Sequence, residues 1–398
     1  MNHIEQLYLQ IIYDTCTQTS SALTIAQDDS VSLTNLAQAQ SSLPFLLPYI
    51  KDSSLLYNIK HQTKLMMLNY YQIEQFTRRI ADLFDANNIS YILLKGISLA
   101  AFYPVPEYRK LGDVDIYIND KEMFNRASAL LLANGYTKDD EISDHHQGYL
   151  YKVPQTGRTM ILELHYRIVG LYQYAPANKI VDAVFASGAF TPIMQKVNDR
   201  SYPVLPPTEY TFYMIHHMLK HYLYSGFGIR LLCDFSFYLE CNYTAIDFAQ
   251  IHKWCKESKI LHLYEIILET CRIYLGLPEM IDSEIHYNKK DCETFITQLL
   301  EDGDVSQNNG SALVGSGSYE KINFLTYFKE GHLQMHVRFP NLGKCPLLWP
   351  ILWLITLVCF LYNNRTIRNT SLAQTLRSFK QDNQKSKLLR IFDNTDHK

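Results

Sequence analysis

The sequence predicts an α+β protein, with a small mixed-sheet core flanked by helical N-terminal and C-terminal regions. Three observations carry that expectation. Helical periodicity fills the first 88 residues and returns from residue 206 to about 300. Short apolar runs of strand length cluster between residues 90 and 168. One of these runs is followed by a well-signalled helix, so strands and helices alternate. At 398 residues, 47% hydrophobic and 19% charged, the chain is globular and too long for one small core. The organisation expected is a helical region at 1–74, the mixed core at 75–200, a helical domain at 201–301, a flexible loop at 302–319, and a C-terminal helical region at 320–398.

In chain order, residues 62–89 carry apolar side chains at helical spacing and end on Asn87-Asn88. "SYILL" is a short continuous apolar run, broken at Lys95-Gly96. "ISLAAFY" suits one or two helical turns before Pro104 and Pro106 interrupt it. "VDIYI", residues 114–118, is a strand candidate. The next segment reads as a helix capped by Asn119 or Asp120 and ended by Gly135. "QGYLYKV" and "RTMILELHYRI" are two strands joined by "PQTG", whose composition suits a tight hairpin. The stretch 302–319 is rich in Gly, Ser and Asn and reads as a loop, and the last twenty residues are polar.

Composition excludes several classes of function. A net charge of −3 without a basic stripe argues against broad nucleic-acid binding, and no sequence-specific nucleic-acid partner is expected. The eight cysteines, without a CxxC pair, fit neither a disulfide framework nor a structural zinc site, and suit a reducing compartment. No secretory signal is visible at the N-terminus, so the expected location is the cytoplasm. "PLLWPILWLITLVCFLY", residues 346–362, only reaches the lower length limit of a spanning helix, about 17 residues. Pro346 and Pro350 spoil its start. It reads first as a buried C-terminal helix. A helix lying on or crossing a membrane, flanked by Lys344, Arg365 and Arg368, is the alternative.

"RKLGDVDIYIND", residues 109–120, sets two aspartates one residue apart at the head of the strand candidate. Asp113 and Asp115 are either a metal-holding pair or turn chemistry before a buried strand. Residues i and i+2 of a strand share a face, so the two carboxylates project together while Val114, Ile116 and Ile118 face the core. Such a pair is costly to bury unless a cation sits between its members. Magnesium takes oxygen ligands, usually one or two carboxylates together with substrate phosphates. Spacing alone decides nothing, since Asp302-Gly303-Asp304 repeats the pattern in the expected loop and fails as a calcium loop. Context separates the two. A Lys95-Gly96 turn, Arg109 and a following capped helix surround the first pair. Glu163 lies on a later strand between Leu162 and Leu164, sharing a face with His165. Three carboxylates from two strands can hold two metals that clamp the oxygens of an in-line phosphoryl displacement.

"LLKGISLAAFYPVPEYRKLGDVDIYI" resembles the bacterial uncharacterised nucleotidyltransferase family, a branch of the DNA polymerase β-like nucleotidyltransferase superfamily. The resemblance rests on Lys95, Gly96, Tyr103, Pro104, Arg109, Gly112, Asp113 and Asp115, then on Glu163-Leu164-His165. It extends to a helical block with His217, Lys220, His221, Arg230 and Asp234, and covers about residues 45–245. It implies a nucleotidyltransferase core and transfer of a nucleoside monophosphate from a magnesium nucleoside triphosphate to an acceptor, whether small molecule, sugar or protein. Asp113, Asp115 and Glu163 would be the catalytic metal ligands, and Lys95 and Gly96 would contact phosphates. The superfamily usually opens on Gly-Ser where this chain has Lys95-Gly96, and more often has Asp where this chain has Glu163.

The supporting residues each carry two readings. Lys95 reaches a phosphate or is simply solvated at a turn. Arg109 binds a phosphate, pairs with Asp113, or forms a surface salt bridge worth roughly 0–1 kcal/mol. His165 orients a carboxylate, ligates, or is a hydrogen-bonded core histidine. His217 and His221, four apart on one helical face, suit zinc by spacing, but no HExxH is present. With Lys220 they read as a cluster that binds a phosphate or base, or as a structural polar network between helices. A non-catalytic accessory protein on the same fold, docked on a membrane through 346–362, is the alternative to the enzyme.

Overall fold

A computed structural model describes residues 1–19, 21, 23–140, 143–224, 227–303 and 324–366. The α+β class holds. The chain opens with α1 (His3–Thr17), α2 (Gln27–Ala39) and the long α3 (Ser53–Ala86). Asn2 and Glu5 form a capping box on α1, and Asp52 caps α3 through the Ser54 and Leu55 amides. The α3 helix starts earlier than the sequence expectation and stops at the Asn87-Asn88 pair, with Asn88 at φ +52°.

The core follows: β1 (Ile92–Leu93), the short α4 (Ile97–Ala100), β2 (Val114–Tyr117), α5 (Lys121–Ala133), β3 (Thr137–Lys138), β4 (His146–Lys152) and β5 (Thr159–His165). These strands form a five-stranded sheet in the order β1-β2-β5-β4-β3. The β2–β5 pair is parallel and the others are antiparallel, so the sheet is mixed. Asp120 caps α5 by accepting from the Met123 amide, and Gly135, at φ +85°, follows its end. The "PQTG" loop closes the β4–β5 hairpin through the Gly157 amide to the Val153 carbonyl and the Val153 amide to the Arg158 carbonyl, both 2.8 Å. Strand alternation divides the sheet into two faces. Val114, Tyr149 and Leu162 face the core together, whereas Asp115, Gly148 and Glu163 share the other face.

After α6 (Ala175–Val184) comes a hairpin of β6 (Ile193–Val197) and β7 (Arg200–Val204), which the sequence reading did not anticipate. The remaining helices are α7 (Pro207–Tyr224), α8 (Ile229–Asn242), α9 (Phe248–Glu257), α10 (Leu261–Leu275), α11 (Lys289–Asp302), α12 (Phe324–Arg338) and α13 (Trp349–Thr366). One hydrophobic core joins α1, α3, the sheet, α8 and α10 through Tyr8, Phe84, Ile116, Leu162, Phe235 and Ile267. The buried Gln40 ties the N-terminal helices to the rest. It donates to the Leu300 carbonyl at 2.9 Å and accepts from the Ile229 amide at 2.9 Å.

Two expectations need correction. The apolar segment at 346–362 is not a buried core helix. It packs on α12 through Trp349 and Trp353, but Leu347 is 88% and Leu354 62% exposed, with Ile351, Leu357 and Val358 also open. No helix among the described residues is long and apolar enough to cross a membrane. Asp302 closes α11 rather than opening a loop. The rest of the expected loop beyond Gly303 and the polar last twenty residues lie outside the described residues.

Candidate functional site

The register of β2 on β5 builds the site. Asp115 pairs with Glu163 and Tyr117 with His165 across the parallel strands. Adjacent strands lie roughly 4.8 Å apart, so side chains at paired positions on one face are brought into contact. Their apolar neighbours, Ile116, Leu162 and Leu164, turn into the core, which fixes the register and hence the direction of the acids. Asp113 precedes the strand on the same face. Side-chain exposure rises from 1% at Asp115 to 26% at Glu163 and 35% at Asp113, so the cluster runs from a buried floor to an open rim.

Lys95 and His165 are the positive partners. Lys95 Nζ lies 3.3 Å from Asp115 Oδ1 and 4.0 Å from Asp113. Gly96 makes the turn that aims it, at φ +78°, a conformation that strains residues with a Cβ. His165 Nε2 lies 3.1 Å from Asp115 Oδ1 and 3.4 Å from Glu163 Oε2. Burial opposes the charged lysine, but the three carboxylates outweigh it and raise its pKa. Burial likewise opposes the His165 imidazolium, and the bonds to Asp115 and Glu163 carry its pKa up. Burial pushes Glu163 up, yet His165 and Lys95 bring its carboxyl well below the usual range. Lys95 pulls Asp113 down, but Asp115, burial and Glu163 together hold it above its ordinary value. Asp115 Oδ2 and His165 Nδ1 remain buried without a hydrogen-bond partner.

The near end of β4 and the helix α7 complete the walls. In the hairpin register His146 pairs with His165, and His145 precedes it. The rings of His145, His146 and His165 lie with centroids 4.5–5.5 Å apart. Burial brings the pKa of His145 to about 3 and that of His146 to about 4, so both are neutral imidazoles at physiological pH. From α7, Lys220 Nζ sits 2.5 Å from His145 Nε2. His217 lies one turn before His221, their ring centroids 4.4 Å apart. The carboxylates at Asp115, Glu163 and Asp113 also act on the buried Tyr213, so Tyr213, His217 and Lys220 turn one stripe of α7 toward the acids.

The expected residues thus divide. Lys95, Gly96, Asp113, Asp115, Glu163 and His165 converge, and Lys220 approaches from α7. Arg109 does not join them, which corrects the expectation of a phosphate contact or a pair with Asp113. It is buried and grips Asp234 of α8 with two bonds, Nε to Oδ1 at 2.7 Å and Nη2 to Oδ2 at 2.8 Å. The Tyr103 hydroxyl donates to the same carboxylate at 2.7 Å. His145, His146, Asp144 and Tyr213 join the site without having stood out in the sequence. The hairpin register was the available signal for the histidines, because a four-residue loop between the strands sets His146 opposite His165.

Asp115, Glu163 and His165 bring ligand atoms within 4.8 Å of one another. Together with the orphaned Asp115 oxygen, this set of carboxylates and an imidazole fits a divalent cation, with Asp113 at its rim. A family model described as uncharacterised nucleotidyltransferase matches residues 27–276. A crystal structure of an antigenic nucleotidyltransferase-like protein from Paracoccidioides brasiliensis aligns over 57% of this chain and 96% of its own, at 16% identity and a TM-score of 0.34. No curated protein matches the chain.

Proposed function

This chain belongs to the uncharacterised nucleotidyltransferase family, and from that premise we propose that it moves a nucleoside monophosphate from a magnesium nucleoside triphosphate to an acceptor hydroxyl. The observation that carries this reading is the orphaned Oδ2 of Asp115, buried beside Glu163 and Asp113. A fold that buries one acid beside two others, and leaves an oxygen without a donor, is suited to a cation. Asp113, Asp115 and Glu163 would be the catalytic ligands. A magnesium ion held there would supply charge neutralisation to the phosphates and the attacking oxygen.

The chain's own residues do the remaining work. His165 braces Asp115 and Glu163 from the floor of the site. Lys95 and the Gly96 backbone contact the phosphates, and Glu163, nearer the rim than Asp115, faces the acceptor hydroxyl. Lys220 and His221 of α7 serve the nucleotide's phosphate or base. Arg109 steadies the loop leading to Asp113 by holding Asp234. The acceptor is a small molecule, a sugar or a protein side chain. A thermal-shift screen of the four ribonucleoside triphosphates with magnesium tests this reading. A ligand at 100-fold its dissociation constant adds about 2.7 kcal/mol of stability. No shift with any of them would overturn it.

A second reading, a catalytically degenerate accessory or binding protein, draws on Lys95. Its ammonium, 3.3 Å from Asp115, stands beside the acids as a cation in its own right. Nucleotide binding without magnesium would favour that reading. The eight cysteines are free and suit a reducing, cytoplasmic setting. Peripheral membrane contact through 346–362 fits either reading, because the open stripe Leu347, Ile351, Leu354 and Val358 is apolar and basic residues flank it. Sedimentation with anionic vesicles tests that contact.

A further inference from the structure

Beside the acids lies a second group of ligating side chains with different chemistry. We propose that His145, His146 and His165 form a nitrogen-donor site for a zinc-class divalent transition ion, adjoining the oxygen-donor site of the aspartates and sharing His165 and Glu163 with it. Ligand atoms of the three histidines lie within 4.8 Å of one another. His146 Nδ1 is 3.1 Å from His145 Nε2, so two nitrogens already share one small volume. A fourth donor is at hand in Glu163 Oε2, 3.7 Å from His146 Nδ1 and 3.4 Å from His165 Nε2. Three imidazoles and one carboxylate form the donor set of a tetrahedral zinc site, and imidazole nitrogen favours zinc or cobalt over magnesium.

The surroundings of His145 are those of a metal ligand. Asp144 Oδ1 lies 2.7 Å from His145 Nδ1, which places the ring proton there and leaves the Nε2 lone pair facing His146. Asp144 is fixed in turn by the Leu171 amide at 2.7 Å. Gly170 leaves room for it, since a Cβ at that position would come within 3.1 Å of Asp144 Oδ1. A carboxylate behind a ligating histidine is the usual support of such a site. On the other side, His165 Nδ1 is buried with no partner.

One group competes. Lys220 Nζ stands 2.5 Å from His145 Nε2 and takes the lone pair that an ion would use. An entering ion therefore moves the lysine aside, and removing the lysine strengthens the site. This gives the proposal opposite signs at neighbouring residues, which a purely structural cluster would not show.

The test titrates the metal-free full-length protein with cobalt(II) and reads its visible absorption, which is intense for four-coordinate nitrogen-rich sites and weak for oxygen-rich octahedral ones. One equivalent should give the intense spectrum, retained in Asp113→Asn, resistant to excess magnesium and displaced by zinc. His145→Gln and His146→Gln should abolish it. Asp144→Asn should weaken cobalt binding on the order of 10–100-fold, and Lys220→Met should tighten it. Circular dichroism confirms folding of each variant, and the Lys220→Met arm stands even where a histidine variant fails to fold. A weak spectrum lost in Asp113→Asn, or binding unchanged by His145→Gln and Lys220→Met, would overturn the proposal. Although the two sites share His165 and Glu163, Asp113→Asn and His145→Gln tell their failures apart, since the first touches only the acids and the second only the histidines.

Discussion

Two buried charge clusters, built from neighbouring segments of one loop, behave in opposite ways. Arg109 and Asp234 meet in a closed pair. Both side chains are buried, two hydrogen bonds join them, and Tyr103 supplies a third to the same carboxylate. Four residues on, Asp113 opens a cluster of three acids against Lys95 and His165, with an orphaned oxygen on Asp115 and an orphaned nitrogen on His165. The first cluster is complete without help and serves to join the core to α8. The second leaves a buried oxygen and a buried nitrogen without partners among clustered acids, an arrangement suited to a ligand. Burial and charge are common to both, and the state of the lone pairs separates them.

Arg109→Met leaves the buried Asp234 with only the Tyr103 hydroxyl and the more distant Arg230, 3.8 Å away, and should cost on the order of 3 kcal/mol in urea unfolding. Adding Asp234→Leu should recover most of that loss, because an apolar pair of similar volume tolerates burial. Additive losses in the double variant would show that the pair does not act as a unit.

At the open cluster the sign reverses. Asp113 is held above its ordinary pKa, so its charge opposes folding at neutral pH and becomes less costly only as pH falls. Asp113→Asn should therefore leave the melting temperature unchanged or raise it, while removing magnesium-dependent nucleotide binding. A drop comparable to that of Arg109→Met would place Asp113 with the structural residues.

A titration sharpens the contrast on α7. Burial holds His216 neutral with a pKa of about 3, and its Nδ1 lies 3.0 Å from the Tyr172 hydroxyl. Unfolded histidine titrates near 6.5, roughly. The stability contributed by keeping this ring neutral is whole above that value and is lost as pH falls from there toward about 3. Melting temperatures between these limits should fall less steeply in His216→Leu than in the wild type. Identical slopes would contradict the assignment. The smallest effect on stability belongs to α13: Leu354→Gln, on an exposed face, should change stability by less than about 0.5 kcal/mol while reducing vesicle sedimentation.

Much of the site was legible because it rests on local rules. The alternation of β2 and β5, the Pro-to-Gly loop and the cap at Asp120 are short-range signals, and they set Asp115 beside Glu163. The β6–β7 hairpin was harder to read. Its Asn198-Asp199 turn, with Asn198 at φ +54°, is a hairpin signal, but β6 is mostly exposed and β7 contains Pro203. Arg109 was misread because its partner lies 125 residues away on α8, where no spacing rule reaches. The apolar run at 346–362 was expected in the core because hydrophobicity reports the wish to leave water and not what lies nearby.

The central claim is that the acid cluster holds a metal for a nucleotide. Calorimetric titration of nucleoside triphosphates into the wild type and the Asp113→Asn/Asp115→Asn variant, with and without magnesium, tests it most directly. The account expects saturable binding by the wild type that requires magnesium, and none by the variant. Equal affinity in both proteins, or binding indifferent to magnesium, would contradict it.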